Sequence, residues 1–314
     1  MIRTIALIGF GEAGSILGAD LAAAGLDVVT YDILFDSDAT REALVNKALA
    51  HEVRIADSAA AAISGTPAVA GTTDSAANSP SARADLVISA VTATSSPAVA
   101  AEAAKSLRPG QIFMDINSVA PATKLSNFET VTRSGADYVE SAVMAPVPAQ
   151  RLKVPMLLGG PRAAELAATL RQLGMNTTAI SERIGVASAV KMCRSVIIKG
   201  LEALTVESLL AARRFGAEQE VLESLDGTFP GMGWLEQLPD YLVSRVAEHG
   251  RRRAAEMREV AQTLTTAGIE PTLASATAQR QDWLIDAMTE HGVSYPRGRP
   301  FSWRALADAL KEAK

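Results

Sequence analysis

The chain is poor in the groups that mark several classes of protein. It holds one cysteine, Cys193, in 314 residues. That excludes an intrachain disulfide framework and fits a reducing compartment, so a cytoplasmic location is expected. No apolar run reaches the roughly 18 residues needed to span a bilayer, so no membrane partner is expected. Basic residues are not in excess: 30 Lys and Arg stand against 35 Asp and Glu, a net charge of -5. They form no long block, which argues against a nucleic-acid partner. Aromatics make up only 4%, which points to tightly packed helices with small side chains. No metal site is read, and no signal peptide, because a structured motif already begins at residue 9.

That motif organises the chain. Ile2 to Ile8 is a short apolar run, Gly9-Phe10-Gly11-Glu12-Ala13-Gly14 follows, and a helical pattern runs from Ser15 to Ala24. Gly25 stops the helix, and a second apolar run from Asp27 to Tyr31 ends on Asp32, 23 residues after Gly9. Strand, glycine turn, helix, strand and acid in this order are the context a dinucleotide-binding turn requires. Gly9 allows the tight turn, Gly11 lets the backbone approach a pyrophosphate, and Gly14 lets helix and strand pack closely. The helix N-terminus then faces the phosphate charge. An acid at Asp32 hydrogen-bonds a ribose 2′-hydroxyl and repels a 2′-phosphate, so NAD is the expected cofactor. NADP is the alternative, reached if Asp32 points away and Arg41 meets the phosphate.

Further along, Thr40–Leu49 reads as a helix and Val53–Ala56 as a short strand. The Ala-, Ser- and Gly-rich stretch from Ala59 to Ala84 reads as a surface excursion, with a helix near Ala59–Ile63. Strands are expected at Asp85–Val91, Ile112–Ile116, Asp137–Ala142 and Pro155–Gly159, with helices at Pro97–Leu107, from Pro121 to about Ser134, and at Arg162–Leu173. This alternation implies a Rossmann-type, doubly wound parallel sheet. From Gly185 the period is helical throughout: Val186–Phe215, Gln219–Leu225, Leu235–Val246, Arg251–Ala267 and Thr272–Met288, with Gly268 as a C-cap and a loop at Asp226–Gly233. Two domains are expected, 1–182 binding the dinucleotide and an all-helical 183–314.

The stretch from Gly185 to Ser195 carries the chemistry. Lys191 sits between Val190 and Met192, with Arg194 and Ser195 one turn on. Facing the nucleotide domain, Lys191 would protonate a carbonyl as hydride arrives, given a pKa lowered by burial or by a like charge such as Arg194. The same lysine could equally pair with a carboxylate or snorkel.

Gly-x-x-x-Ala-x-Lys-x-Cys at 185–193 resembles the catalytic helix of the β-hydroxyacid dehydrogenases, relatives of 6-phosphogluconate dehydrogenase. The amino-terminal glycine motif resembles that family's nucleotide signature. Asp115-Ile116-Asn117-Ser118-Val119-Ala120-Pro121 resembles its strand-five segment, and Tyr138 to Pro146 is similar to its Asp-Ala-Pro-Val-Ser-Gly-Gly substrate loop. The segment from His249 to Glu259 looks like the C-terminal domain of a poorly characterised branch. The resemblance implies Lys191 as general acid or base, with Asn117 and Ser195 positioning the substrate oxygen. It implies Gly9, Phe10, Gly11, Glu12, Ala13, Gly14, Tyr31, Asp32, Val91, Thr92 and Asn117 around the cofactor. Asn117, Ser118, Met144, Ala145, Lys191, Arg194 and Ser195 would stand around the substrate.

Departures are as informative. Arg194-Ser195 replaces Asn-Asn, and Met144-Ala145-Pro146 replaces Ser-Gly-Gly, so the usual carboxylate cradle does not carry over; Pro146 has no N–H to offer. Arg194 is a bidentate donor that would serve as an anionic clamp. Met144, Met192 and Met257 read either as an adaptable apolar wall or as plain core. Arg251, Arg252, Arg253 and Arg258, interleaved with Glu256 and Glu259, read as a salt-bridged face or as an anion-binding edge. His249 reads as a cap or surface group. Lys199 and Glu202 could line the same cleft as Lys191.

The expected activity is hydride transfer between NAD and a 3-hydroxyacid or related alcohol, in a homodimer acting on a small, polar or anionic substrate. The alternatives are imine reduction on the same fold, or a non-catalytic dinucleotide-binding sensor.

Overall fold

The structure, a computed structural model, describes residues 2–65 and 83–311; most of the Ala- and Ser-rich excursion lies outside the described residues. Contacts divide the chain into two compact units, Met1–Lys191 and Met192–Lys314, where the sequence suggested a boundary at 182/183.

Among the described residues the first unit is built on eight strands: β1 (Thr4–Ile8), β2 (Asp27–Tyr31), β3 (Arg54–Ile55), β4 (Leu86–Ser89), β5 (Ile112–Asp115), β6 (Asp137–Val143), β7 (Met156–Gly159) and β8 (Thr177–Ser181). Its helices are α1 (Glu12–Ala23), α2 (Asp38–Leu49), α3 (Ala59–Ser64), α4 (Ser96–Ser106), α5 (Pro121–Thr132), the single turn α6 (Val147–Gln150) and α7 (Ala163–Gln172). The strand order is β3-β2-β1-β4-β5-β6-β7-β8. Apolar residues alternate between two faces. Ile5, Leu7, Leu86, Ile88 and Met114 pack with Leu17 and Leu21 of α1 and Leu166 of α7. Ala6, Ile8, Val87 and Phe113 pack with Ile63, Ala100 and Val131 of α3, α4 and α5. Helices on both sides of a buried sheet make this a Rossmann-type fold.

One departure concerns strand direction. β6 pairs with β7 antiparallel, and β7 with β8 parallel, so the last two strands run against the other six. The link from Met144 to Pro155 carries only the single turn α6 and one further short turn, and it returns the chain as a hairpin between neighbouring antiparallel strands. β8 was not expected from the sequence. Its burial alternates along the strand, but Thr177, Thr178 and Ser181 deprive its sequence of an apolar run.

The long helix α8 (Val186–Phe215) has the expected bounds and continues past the division at Lys191. The second unit adds α9 (Glu218–Thr228), α10 (Leu238–Thr266), α11 (Thr272–Glu290) and α12 (Trp303–Ala309). Its main core gathers Val206, Leu209, Val243, Val246, Leu284, Trp234 and Trp303. A smaller cluster joins Met192 and Met257 to Ala254, Val260, Ala274 and Ala278. These two methionines are therefore core of the helical unit and not a pocket wall.

The two helices expected on either side of His249 and Gly250 are one helix. Gly250 serves packing: a Cβ there would lie 2.6 Å from Cγ1 of Ile285 and 2.8 Å from the carbonyl oxygen of Gln281. Its missing side chain lets α10 and α11 approach closely. His249 is accordingly an interior position of α10, 3.2 Å from Glu248, with its pKa lowered mainly by burial. Gly268 (φ +75°) does end α10, its N–H donating to the carbonyl of Thr265. α9 continues to Thr228, into the stretch expected to be loop.

Candidate active site

In an open α/β sheet, ligands bind beyond the carboxyl ends of the strands where the order reverses. Here that point lies between β1 and β4, and the glycine turn sits on it. Gly9 has φ +100°, and a Cβ on it would come 2.4 Å from the carbonyl oxygen of Ala90 and 2.9 Å from Cγ1 of Val91. At Gly14 a Cβ would lie 2.1 Å from the carbonyl oxygen of Gly9. The fold itself demands both glycines. Gly11 differs: a Cβ there would meet nothing within 4 Å. It is also the N-cap of α1, and no side chain caps the helix. Open space in front of unclaimed helix N–H groups fits a pyrophosphate.

Phe10 and Glu12 lie within this turn. The ring of Phe10 is buried, 6.2 Å between centroids from Phe35, while Glu12 is exposed in the first turn of α1, with Ala13 beside it. Asp32 stands at the end of β2. Its Oδ2 accepts from the N–H of Phe10 at 2.6 Å, and its Oδ1 accepts from that of Leu34 at 2.9 Å. The acid thus braces the glycine turn, and each oxygen keeps lone-pair capacity for a ribose hydroxyl. Tyr31 donates its hydroxyl to Asp36 at 2.8 Å, and burial together with that bond raises its pKa to about 12. Arg41 donates to the carbonyl of Phe35 at 2.9 Å. The residues present therefore fit a nicotinamide dinucleotide.

Val91, Thr92 and Asn117 come together beyond β4 and β5. The Oδ1 of Asn117 accepts from the N–H of Val91 at 2.7 Å, and its Nδ2 donates to Ser89 Oγ at 2.9 Å and Ser96 Oγ at 3.2 Å. Thr92 bonds locally to Thr94 and Ser95. Asn117 is buried, and its amide ties the post-β4 loop to the end of β5; Ser118, next to it, is half-buried.

Beneath this loop lies a network the sequence did not reveal. Asp115, the last residue of β5, is fully buried. Its carboxylate receives Lys124 Nζ at 2.8 Å, the N–H of Asn117 at 2.9 Å, Asn127 Nδ2 at 3.0 Å and the Tyr138 hydroxyl at 2.9 Å. Burial pushes its pKa up, but the charge of Lys124 and the hydrogen bonds outweigh this, so the carboxyl stays below its usual range. Burial and the neighbouring Asp115 hold the Tyr138 phenol well above its ordinary value.

α8 starts beside these loops. At Gly185 (φ +97°) a Cβ would lie 3.4 Å from Cβ of Pro121, the first residue of α5. Glu140 of β6, buried, accepts from the backbone N–H groups of Gly185 and Ala187 at 2.7 and 2.9 Å and from the Ser188 hydroxyl at 2.7 Å. Lys191 follows one turn later and is half-buried. Met144 closes the β6–β7 hairpin, its N–H donating to the carbonyl of Pro155 at 2.9 Å; Met144 and Ala145 are half-buried and Pro146 exposed.

Arg194 and Ser195 belong to the second unit; Arg194 is exposed and Ser195 buried. In that unit Lys199 meets Glu256 at 2.5 Å, and Arg253 pairs with Glu202, with Nε to Oε2 at 2.7 Å. The rest of the arginine group is salt-bridged. Arg251 pairs with Asp282 and Asp286, Arg258 with Asp282, and Arg252 with Glu256.

The fold agrees with comparisons to known proteins. Residues 4–181 match the family described as NAD binding domain of 6-phosphogluconate dehydrogenase. Residues 212–284 match a domain of unknown function, DUF1932. A conserved hypothetical protein from Sinorhizobium meliloti 1021 is 37% identical, covering 99% of this chain and 96% of that one, with a TM-score of 0.76. The conserved protein MTH1747, of unknown function and described as structurally similar to 3-hydroxyacid dehydrogenases, is 28% identical over 91% of this chain and 98% of its own, with a TM-score of 0.68. The 3-hydroxyisobutyrate dehydrogenase of Mycobacterium tuberculosis, with L-serine, is 16% identical over 99% and 100% of the two chains, with a TM-score of 0.70, a likeness of fold. The first unit is thus a nicotinamide dinucleotide-binding domain, and the protein belongs to the 6-phosphogluconate dehydrogenase NAD-binding family, in the branch that carries DUF1932 as its carboxy-terminal domain.

Proposed function

We propose that the protein is an NAD-dependent dehydrogenase that interconverts a 3-hydroxyacid, or a related alcohol with a polar anchor, and its carbonyl form, with Lys191 as the general acid or base. The observation that carries this is the start of α8. Gly185 lies against Pro121, which opens α5 after β5, and Glu140 of β6 fixes the first turn of the helix that carries Lys191, which supports a place for Lys191 near the end of β5.

Gly9 to Gly14 and the N-terminus of α1 would hold the pyrophosphate, Asp32 the adenosine ribose, and Val91–Thr92 the nicotinamide ribose. The bound dinucleotide supplies or accepts the hydride. Lys191 holds the substrate oxygen and gives it a proton on reduction, or takes one on oxidation. Asn117 has its amide engaged with Val91, Ser89 and Ser96. It therefore serves the reaction by fixing the loop, and Ser118 and Ser195 offer the hydroxyls that orient the substrate oxygen. Arg194 clamps the substrate's anionic group. Met144 and Ala145 shape its other end with apolar surface.

The protein is proposed to act as a cytoplasmic homodimer. Ile197, Leu204 and Ala211 recur at seven-residue spacing on α8 and are exposed, the pattern of a helix that buries its stripe against another helix.

The test is a panel of 3-hydroxyacids, sugar acids and aryl alcohols run with NAD and NADP in parallel, with cyclic imines and NADH as a further arm. Lys191→Ala should reduce turnover roughly 10²–10⁴-fold and leave NADH affinity unchanged. Undiminished turnover would remove Lys191 from the chemistry. Turnover of imines alone would replace the alcohol reading, and NADH binding without turnover of any substrate would favour a sensor.

A further inference from the structure

We propose that Glu140 is the residue that places Lys191, acting through the N-terminus of α8 and not by touching substrate. This rests on the reading of Lys191 as the proton-transfer group.

Glu140 sits in mid-sheet, in register with Asp115 of β5 and Gly159 of β7, and is 0% exposed. Carboxyl oxygens so placed must find hydrogen-bond partners inside the protein. Four donors supply them. Oε1 accepts from the N–H groups of Gly185 at 2.7 Å and Ala187 at 2.9 Å. Oε2 accepts from the Ser188 hydroxyl at 2.7 Å and, more distantly, from its N–H at 3.4 Å. The opening N–H groups of a helix have no partner within it, and that end carries partial positive charge. The carboxylate satisfies both at once, and its donors are backbone groups and a hydroxyl instead of an arginine or lysine.

β7 is shaped around the same carboxylate. A Cβ at Gly159 would lie 2.6 Å from Oε1 and 3.1 Å from Cγ of Glu140. Only a residue without a side chain leaves the acid its space. The sheet thus grips the first turn of α8 at a defined height and rotation. One residue of slippage along a helix turns every side chain by about 100°, and Lys191 is only three residues beyond Ser188. Proton transfer tolerates little misplacement: about 1 Å can cost about 100-fold. Both oxygens of Glu140 are engaged, so it is a positioning residue.

The experiment uses the full chain, with Glu140→Gln, Glu140→Asp, Gly159→Ala and the double variant Glu140→Asp/Gly159→Ala. Three quantities are read: kcat and KM on the best substrate of the panel, NADH affinity, and amide exchange across residues 185–191. The rate at which trinitrobenzenesulfonate labels Lys191 gives a readout that needs no substrate.

Glu140→Gln should lower kcat at least about tenfold, leave NADH affinity within about twofold, speed exchange at 185–188 and change the labelling rate of Lys191. Gly159→Ala should act in the same direction. In the double variant the shorter acid vacates the space the new methyl needs, so the two losses should fall short of multiplying. The proposal is overturned if kcat and labelling stay at wild-type values while exchange accelerates. It is equally overturned if the two single losses multiply in the double variant, or if NADH affinity falls in step with kcat. Should Glu140→Gln fail to fold, Glu140→Asp and Gly159→Ala carry the same test. If Lys191→Ala proves fully active, the catalytic reading falls, while labelling, exchange and the double-variant coupling still decide whether Glu140 sets the helix.

Discussion

The carboxylates of Asp115 and Glu202 are both buried, and each is paired with one cation, Lys124 in the first unit and Arg253 in the second. Asp115 also receives the N–H of Asn117, the amide of Asn127 and the hydroxyl of Tyr138, and its carboxyl is held below the usual range. Glu202 is pushed the other way: burial raises its pKa, and Arg253 only partly offsets this. Lys199, one turn earlier, has its pKa lowered by the same burial. The difference teaches that one cation alone does not hold a buried acid below its usual range. At Asp115 donors from Asn127 and Asn117 add to Lys124, whereas at Glu202 burial prevails over Arg253. The first network fixes the loops at the ends of β4 and β5. The second ties helix to helix, a task apolar side chains can also perform.

The sharpest way to break this comparison is Lys124→Met, which strands Asp115 without its cation. It should lower the unfolding free energy by about 3–5 kcal/mol in a urea titration, and a loss under about 1 kcal/mol would show that the network does not depend on the pair. pH gives the matching sign. Asp115 titrates below its ordinary 3.8 when folded, so its contribution is complete above that value and fades as pH falls through the lowered one. Lys124→Met should therefore acid-unfold at higher pH than the wild type.

Arg253→Leu should cost less, about 2–3 kcal/mol at pH 7, because Glu202 can escape by taking a proton. The penalty should shrink as pH falls toward the ordinary 4.5 of a glutamate. The double variant Glu202→Met/Arg253→Leu should return to within about 1 kcal/mol of the wild type. A double variant as unstable as the single would erase the distinction between the two networks.

Gly250→Ala comes next. Its methyl meets Ile285 and the backbone of Gln281, and the melting temperature should report a loss of about 1–3 kcal/mol. Gly11→Ala should have the smallest effect on stability, within about 0.5 kcal/mol, because its methyl enters open space at φ -68°. NADH affinity should nevertheless fall about tenfold or more. Unchanged affinity would mean that the pyrophosphate does not approach that glycine.

The glycine turn, Asp32 and the bounds of α8 were legible in the sequence because each is written in local pattern: fixed glycine spacing, an acid at a strand end, and thirty residues without proline. The reversed direction of β7 and β8 was not, since an apolar run is the same read either way. Gly250 read as a break between helices, because nothing local says that α11 lies against it. Lys124 looks like an ordinary lysine of an amphipathic helix, and only the fold brings it to Asp115. Glu140 stood in plain sight within the loop segment. A strand glutamate gains its role only when the N-terminus of a helix arrives 45 residues later in the chain.

All three tryptophans, Trp234, Trp283 and Trp303, lie in the helical unit, two of them in its core. The nucleotide-binding unit therefore emits no tryptophan light. A denaturation curve followed by tryptophan emission tracks Met192–Lys314 alone, while circular dichroism at 222 nm sums both units. Laid over one another, the two curves read out whether the units melt together or one after the other, with no label added and no residue changed.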